Sequence, residues 1–319
     1  MNWLKISVYL SWCTNQIKMP NTLDALRLNF SPDSLFLLNV CLGVIMFGIA
    51  LDINIEDFKI LLKNPKAALV GLLSQFFVLP FLTYLLILVW QPQASIAMGM
   101  ILVAACPGGN ISNFMSHLSK SNTALSVGLT TLATFASLLM TPLNFKLYAS
   151  LYPPTMELLT DINLDEWAVI KTIFTIVLFP LLAGLAFRKW QEEIAKKISP
   201  IFRVASILIF IAFVVIAFSK NYDLFLQYIH VVALLVLLHN AIALGSGYGL
   251  GQIFALSRRD KRTISIETGI QNSGLGLVII FAFFEGLGGM ALVTAWWGIW
   301  HIIAGLSLAF IWSKSKSLA

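Results

Sequence analysis

Cys106-Pro107-Gly108-Gly109-Asn110-Ile111-Ser112-Asn113 interrupts an otherwise apolar run, residues 95–118, about halfway along. A second run, residues 263–284, is interrupted in the same way by Ile266-Glu267-Thr268-Gly269-Ile270-Gln271-Asn272-Ser273-Gly274-Leu275-Gly276. Proline and glycine at these points leave backbone amides and carbonyls without helical partners, and in a bilayer those groups must be satisfied by a cavity, an ion or other protein. Half-helix ends facing such a gap also carry partial charge, attracting anions at N-termini and cations at C-termini. The two stretches, 107–113 and 271–274, are therefore expected to be breaks in two discontinuous helices.

The surrounding chain makes lipid the relevant solvent. Its 319 residues are 58% hydrophobic and only 11% charged, with a mean hydropathy of +0.85, which excludes an ordinary soluble domain. A helical span needs about 20 mostly apolar residues. Such runs lie at residues 35–51, 67–90, 95–118, 124–148, 167–187, 201–218, 230–256, 263–284 and 290–312. These nine, with a degraded tenth near the N-terminus left open, form one all-α membrane domain over 1–319, with lipid as its main surroundings. Lys5 alone precedes the apolar stretch 6–13 and no small-residue cleavage pattern follows, so no signal peptide is expected.

The net charge of +6 reflects membrane topology rather than nucleic-acid binding. Alternate connections hold Lys59, Lys63, Lys66, Lys120, Arg188, Lys189, Lys196, Lys197, Arg258, Arg259, Lys261, Arg262, Lys314 and Lys316. The opposite set holds only Lys220, or three basic residues when Lys146 and Lys171 just inside span ends are added. The basic side is expected to be cytoplasmic, which puts the C-terminus there in an inner membrane. Cys13, Cys41 and Cys106 have neither metal-ligand nor disulfide spacing. With no Ser-His-Asp arrangement, zinc motif or phosphate loop, no enzyme is expected, nor is any obligate protein partner evident.

The spans also repeat. Those starting at 35, 67, 95 and 124 match those starting at 201, 230, 263 and 290, offsets of 166, 163, 168 and 166 residues. Each copy lies five spans after its match, and an odd number inverts the second copy relative to the first, as in many secondary transporters. Both breaks then fall in the third span of a copy.

Glu267 is the sharpest single residue, because a carboxylate inside a span is disfavoured by about 2.5 to 3.5 kcal/mol on insertion scales. Hard monovalent cations favour oxygen ligands of the kind that Ser112, Asn113, Ser126, Thr130, Thr131, Gln75 and Gln271 supply. Ser126 and Thr130, four apart, share a helix face. A proton-carrying glutamate, or one only hydrogen-bonded within a core, is the alternative. His239 with Asn240, and His301, are read as hydrogen-bonded core residues rather than metal ligands. Trp90, Trp167 and Trp312 sit at span ends as interfacial anchors.

The stretches 43–48, 75–80, 106–113, 122–131 and 267–274 together resemble the bile acid:sodium symporter family, over the chain from about residue 34 onward. The resemblance implies ten helices in two inverted five-helix repeats, with two crossed discontinuous helices in the core. Residues 1–66 and 167–219 would form panel-type helices, and 67–148 and 229–313 core-type helices. Two sodium ions are implied, the first at Ser112, Asn113, Ser126, Thr130 and Glu267. The second would lie at Gln75, Glu267 and Gln271 with the backbone carbonyls of Thr268 and Ile270. An organic anion, bile-acid-like, steroid-like or a small keto or hydroxy acid, would sit near Asn110, Asn272 and His301. The chain departs from the family at its weakly marked first helix and at His301-Ile302, where some relatives have His-Asn. The expectation is sodium-driven anion import by alternating access. A proton- or potential-driven carrier of the same superfamily, and a non-transporting receptor or channel, are the other classes.

Overall fold

A computed structural model describes residues 22–28, 32–51, 65–162, 166–220 and 222–315. Each of the nine apolar runs coincides with helix. The elements are α1 (Pro32–Ala50), α2 (Pro65–Trp90), α3 (Ala94–Ala105), α4 (Ile111–Leu118), α5 (Thr123–Leu151) and α6 (Pro153–Ile162). They continue as α7 (residues 166–190), α8 (Glu192–Lys220), α9 (Tyr222–Ile253), α10 (Arg258–Gly269), α11 (Ser273–Phe283) and α12 (Gly288–Lys314). Five stretches are long and apolar enough to cross a membrane: α2, α5, Trp167–Trp190 of α7, Leu226–Ile253 of α9, and α12. Shorter apolar helices lie at Phe36–Gly48, Ala94–Ala105 and Ser273–Phe283. The run expected to hold a tenth span falls within residues 1–21, outside the described residues, as does the 52–64 connection with Lys59 and Lys63.

Both interrupted runs, residues 95–118 and 263–284, are broken helices. At about 1.5 Å per residue, the twelve residues of α3 extend about 18 Å. The eight of α4 add about 12 Å, so only the pair matches a hydrocarbon core of about 30 Å. The same holds for α10 and α11, with twelve and eleven residues. Non-helical backbone occupies residues 106–110 and 270–272. The breaks are thus offset from the expected 107–113 and 271–274: Ile111–Asn113 form the first turn of α4, and Ser273 and Gly274 that of α11. Proline and glycine set where a helix stops, and where the next one starts is set separately: Asn110 precedes α4 without a side-chain cap bond, whereas α11 starts at a capped residue. Asn272 Oδ1 accepts from the Leu275 amide at 3.0 Å to start α11, as Asn122 Oδ1 does from Leu125 at 3.1 Å for α5.

Two long helices contain a π-helical turn, Ser74–Val78 in α2 and Phe174–Leu178 in α7. Each lies just before a proline, Pro80 or Pro180, whose missing N–H disturbs the ladder. In α2 the remedy is visible. The α-helical partner of residue 80 would be the Phe76 carbonyl, and the side-chain amide of Asn144 in α5 donates to that oxygen at 2.9 Å.

Helix α1 packs against α7 and α8, whereas α3 packs against α5 and α12, and α9 against α10. Met98, Leu102, Ile279, Met290, Val293 and Trp297 join α3, α11 and α12 in one buried apolar cluster. Where α3 meets α12 the backbones nearly touch: a Cβ on Gly99 would lie 2.9 Å from the Met290 Cα. At the same end, Leu28 donates to the Gly286 carbonyl at 2.9 Å and Gly288 to that of Leu26 at 2.8 Å. Asp24 Oδ1 there accepts from the Ser95 amide at 2.8 Å, capping α3 from a distant segment.

Candidate functional site

The two breaks pair with one another. Gly108 and Gln271 form an isolated antiparallel bridge. Around it the Gly109 amide donates to the Ile270 carbonyl at 2.6 Å, and the Asn272 amide to the Pro107 carbonyl at 2.9 Å. Backbone groups that each break frees are thus satisfied by the other break, which is how irregular chain survives at membrane depth. Four helix ends converge there: the carbonyl ends of α3 and α10 and the amide ends of α4 and α11. The glycines permit the approach, since a Cβ on Gly109 would lie 2.9 Å from the Gln271 carbonyl oxygen.

Against this crossing lies Glu267, in the last turn of α10 and only 3% exposed. Ser112 Oγ, in the first turn of α4, donates to its Oε2 at 2.6 Å. From α5, Ser126 Oγ donates to Oε2 at 3.0 Å, and Thr130 Oγ1 lies 2.5 Å from Oε1. Asn113 Oδ1 is 3.2 Å from the same Thr130 hydroxyl. The structure therefore brings together all five residues Ser112, Asn113, Ser126, Thr130 and Glu267. Every donor atom in the cluster is oxygen, and hydroxyls can turn their lone pairs toward a cation without moving the backbone. Among the described residues no group of three or more His, Cys, Asp or Glu could hold a metal ion. An all-oxygen set with one carboxylate suits a hard monovalent cation better than a transition metal. Thr131 stands apart, its hydroxyl bonded back to the Val127 carbonyl at 2.8 Å.

A second cluster lies across the break. The π-helical turn of α2 turns two successive polar residues, Ser74 and Gln75, toward α10 and the crossing. Ser74 Oγ lies 2.8 Å from Thr268 Oγ1. Gln75 Nε2 donates to the Cys106 carbonyl and to Gln271 Oε1, both at 2.8 Å. Gln271 Nε2 returns a bond to Gln75 Oε1 at 3.2 Å and donates to the Thr268 carbonyl at 2.6 Å. Gln75, Gln271 and the Thr268 carbonyl thus meet, whereas the Ile270 carbonyl is bonded to the Gly109 amide and no hydrogen bond among the described residues joins Glu267 to the glutamine pair. Their oxygens already accept hydrogen bonds from protein, so a cation here requires the amides to exchange partners.

Asn110 and Asn272 flank the crossing and are partly exposed, with Asn272 occupied as the cap of α11. His301 is buried, its Nδ1 has no partner, and no hydrogen bond among the described residues joins it to either asparagine. His239 is likewise a buried core residue whose Nδ1 has no partner among the described residues, but its other ring nitrogen is engaged. Its Nε2 lies 2.7 Å from Thr83 Oγ1, and its ring sits edge-on to Trp297 with centroids 4.7 Å apart.

Three contributors escape a sequence reading. Thr141 Oγ1 donates to the Ala105 carbonyl at 2.8 Å, relieving the carbonyl end of α3. Asn144 supports the π-helical turn that presents Gln75. Asn240, read as core together with His239, donates through Nδ2 to the Gly269 carbonyl at 2.7 Å. The signal for each was a lone polar residue in an apolar run, and only the fold reveals its partner.

A model of the Sodium Bile acid symporter family matches residues 39–228. The chain is 34% identical over 293 residues to the uncharacterized sodium-dependent transporter YocS of Bacillus subtilis (strain 168), covering 90% of this chain and 88% of that protein. It is 30% identical over 276 residues to the probable sodium/metabolite cotransporter BASS2, chloroplastic, of Oryza sativa subsp. japonica. A similar match, 30% over 279 residues, is to the probable sodium/metabolite cotransporter BASS1, chloroplastic, of Arabidopsis thaliana. These cover 82% and 86% of this chain, which spans only 64% and 66% of the two chloroplast proteins. The chain belongs to the Sodium Bile acid symporter family, a family of multi-pass membrane transporters and not of enzymes.

Proposed function

We propose that this family member is a sodium-coupled symporter that imports an organic anion by alternating access. The grouping of Ser112, Asn113, Ser126 and Thr130 around the buried Glu267 carboxylate carries this reading. Among the described residues no Lys or Arg neutralises that carboxylate, whereas a monovalent cation would do so within the ligand set already assembled. The sodium dependence named for the bacterial relative supports it. The first ion uses that oxygen set. A second uses Gln75, Glu267, Gln271 and the carbonyls of Thr268 and Ile270, entering when the glutamine pair opens.

The two ions then act as a latch on the crossing. Sodium bound to groups on α4, α5 and α10 at once fixes the geometry of the break, and the anion docks against the ordered amide ends near Asn110 and Asn272. Each ligand raises the affinity for the other by linkage. His301 lines the substrate route further along α12.

The fold is two inverted repeats whose third spans are the broken ones. Gln75 and Asn240 support this, since they lie 165 residues apart and each donates to the carbonyl end of a half-helix. Within the ranges 1–66 and 167–219, the described helices α1, α7 and α8 form the panel, supported by the packing of α1 on α7 and α8. Residues 67–148 and 229–313 form the core. The basic ends of α10 and α12 face the cytoplasm of a cell whose inner membrane holds the protein.

Uptake into proteoliposomes of a bile acid, a sulfated steroid, a 2-keto acid and pantoate, each driven by sodium, potassium or choline gradients, tests the proposal. Stimulation of at least one anion by sodium alone, abolished in Glu267→Ala, is the expected result. Equal uptake in all three salts, or sodium-driven uptake retained in Glu267→Ala, would overturn it.

A further inference from the structure

Asn240 sits in the middle of α9, 1% exposed, between His239 and Ala241 in an otherwise apolar stretch. Its side-chain Nδ2 reaches across to the Gly269 carbonyl at 2.7 Å, while its Oδ1 is buried without a partner. The amide is therefore committed in one orientation, because a flipped amide would set two oxygens against each other. Gly269 is the last helical residue of α10, so its carbonyl is one that the helix cannot satisfy itself. Two residues earlier is Glu267, and immediately afterwards Ile270 accepts the Gly109 amide at the crossing. The same helix end is clamped sterically, since a Cβ on Gly269 would lie 2.3 Å from Leu244 Cδ2. Ser265 Oγ also donates to the Leu244 carbonyl at 2.7 Å. A single turn of α9 thus grips the end of α10 from which the carboxylate projects.

We propose that Asn240 is a positioning residue of the cation site: its amide fixes the carbonyl end of α10, and with it Glu267, against the crossing. Asn240 touches neither the Glu267 carboxylate nor its hydroxyl donors, so its effect passes through backbone geometry alone. Gln75 makes the matching bond to the Cys106 carbonyl on the other half-helix, but it also carries an amide of the second cluster. Asn240 separates the two roles. This inference rests on the sodium reading, and its test is chosen so that the two can fail separately.

The purified full chain is titrated with sodium chloride, balanced by potassium chloride, while its thermal midpoint is followed. Hydrogen exchange is measured in parallel for the peptide covering residues 266–275. Asn240→Leu keeps the volume and removes the donor. It is expected to raise the half-saturating sodium concentration about tenfold and to speed exchange in that peptide, each titration being read against the variant's own midpoint in potassium alone, which the unpaired Gly269 carbonyl lowers in Asn240→Leu. Asn240→Gln keeps a donor and is expected to stay within about threefold of the parent, and it serves if Asn240→Leu does not fold. A sodium titration superimposable on the parent's, exchange unchanged in the peptide, or equal loss in both variants would overturn the assignment. If the parent itself ignores sodium, the sodium reading fails, and exchange alone decides the positioning role: faster sustains it, unchanged refutes it.

Discussion

Gly108 and Glu267 are in such close contact that a single methyl group cannot be added between them: a Cβ on Gly108 would lie 2.6 Å from Glu267 Oε1. The glycine is required here by space rather than by dihedral angle, because its φ is not positive. Gly108→Ala must therefore displace the carboxylate from the Ser112 and Thr130 hydroxyls. The expected outcome is a rise of at least tenfold in half-saturating sodium, read by thermal-shift titration. Gly245→Ala, where an added Cβ meets nothing within 4 Å, should bind sodium like the parent, which controls for the substitution type.

Much of this could be read from the sequence because helix breakers are local. Pro107, Gly108 and Gly109 announce a break wherever they fall in an apolar run, and Glu267 is conspicuous because carboxylates are disfavoured in lipid. Where the second half-helix begins was less legible, as that depends on caps such as Asn272 rather than on the breaker. Pairings across the chain were not legible from the residues themselves, and only the family resemblance put Gln75 and Gln271 in one set. Gln75 with Gln271 spans 196 residues and Asn144 with Phe76 spans 68, so neither leaves a periodic trace.

The glutamine pair predicts energetic coupling. Gln75 and Gln271 exchange bonds in both directions, at 2.8 and 3.2 Å. In a double-alanine cycle the two substitutions should be non-additive by about 0.5 to 3 kcal/mol in thermal stability, the range for residues in one network. Additivity within about 0.3 kcal/mol would show that the pair does not act as a unit.

Pro80 and Asn144 form a compensating pair. The proline removes the donor for the Phe76 carbonyl, and Asn144 replaces it from α5 at 2.9 Å. Asn144→Leu leaves that oxygen buried and unpaired, a loss of about 1 to 3 kcal/mol. Pro80→Ala restores a backbone N–H to α2. The double variant Asn144→Leu with Pro80→Ala should therefore recover part of the thermal midpoint that Asn144→Leu loses. No recovery would mean that the asparagine acts elsewhere than at the carbonyl that Pro80 leaves free.

Asp24 offers the last test, at the opposite end of the core from the basic ends of α10 and α12. The first amides of α3 have no partner within that helix, and the N-cap residue Gln93 makes no side-chain cap bond. Asp24 Oδ1 supplies the bond to Ser95 at 2.8 Å from a segment 71 residues earlier in the chain. Its negative charge also lies at the positive end of the α3 dipole. Asp24→Ala removes both contributions and should lower stability by about 1 kcal/mol, within the usual range for a lost cap. Asp24→Asn keeps the acceptor and loses only the charge, so its thermal midpoint should fall between those of the parent and Asp24→Ala, closer to the parent at high salt, where screening removes the charge term. Equal losses in both variants at every ionic strength would show that charge, and not the cap bond, is what Asp24 contributes to α3.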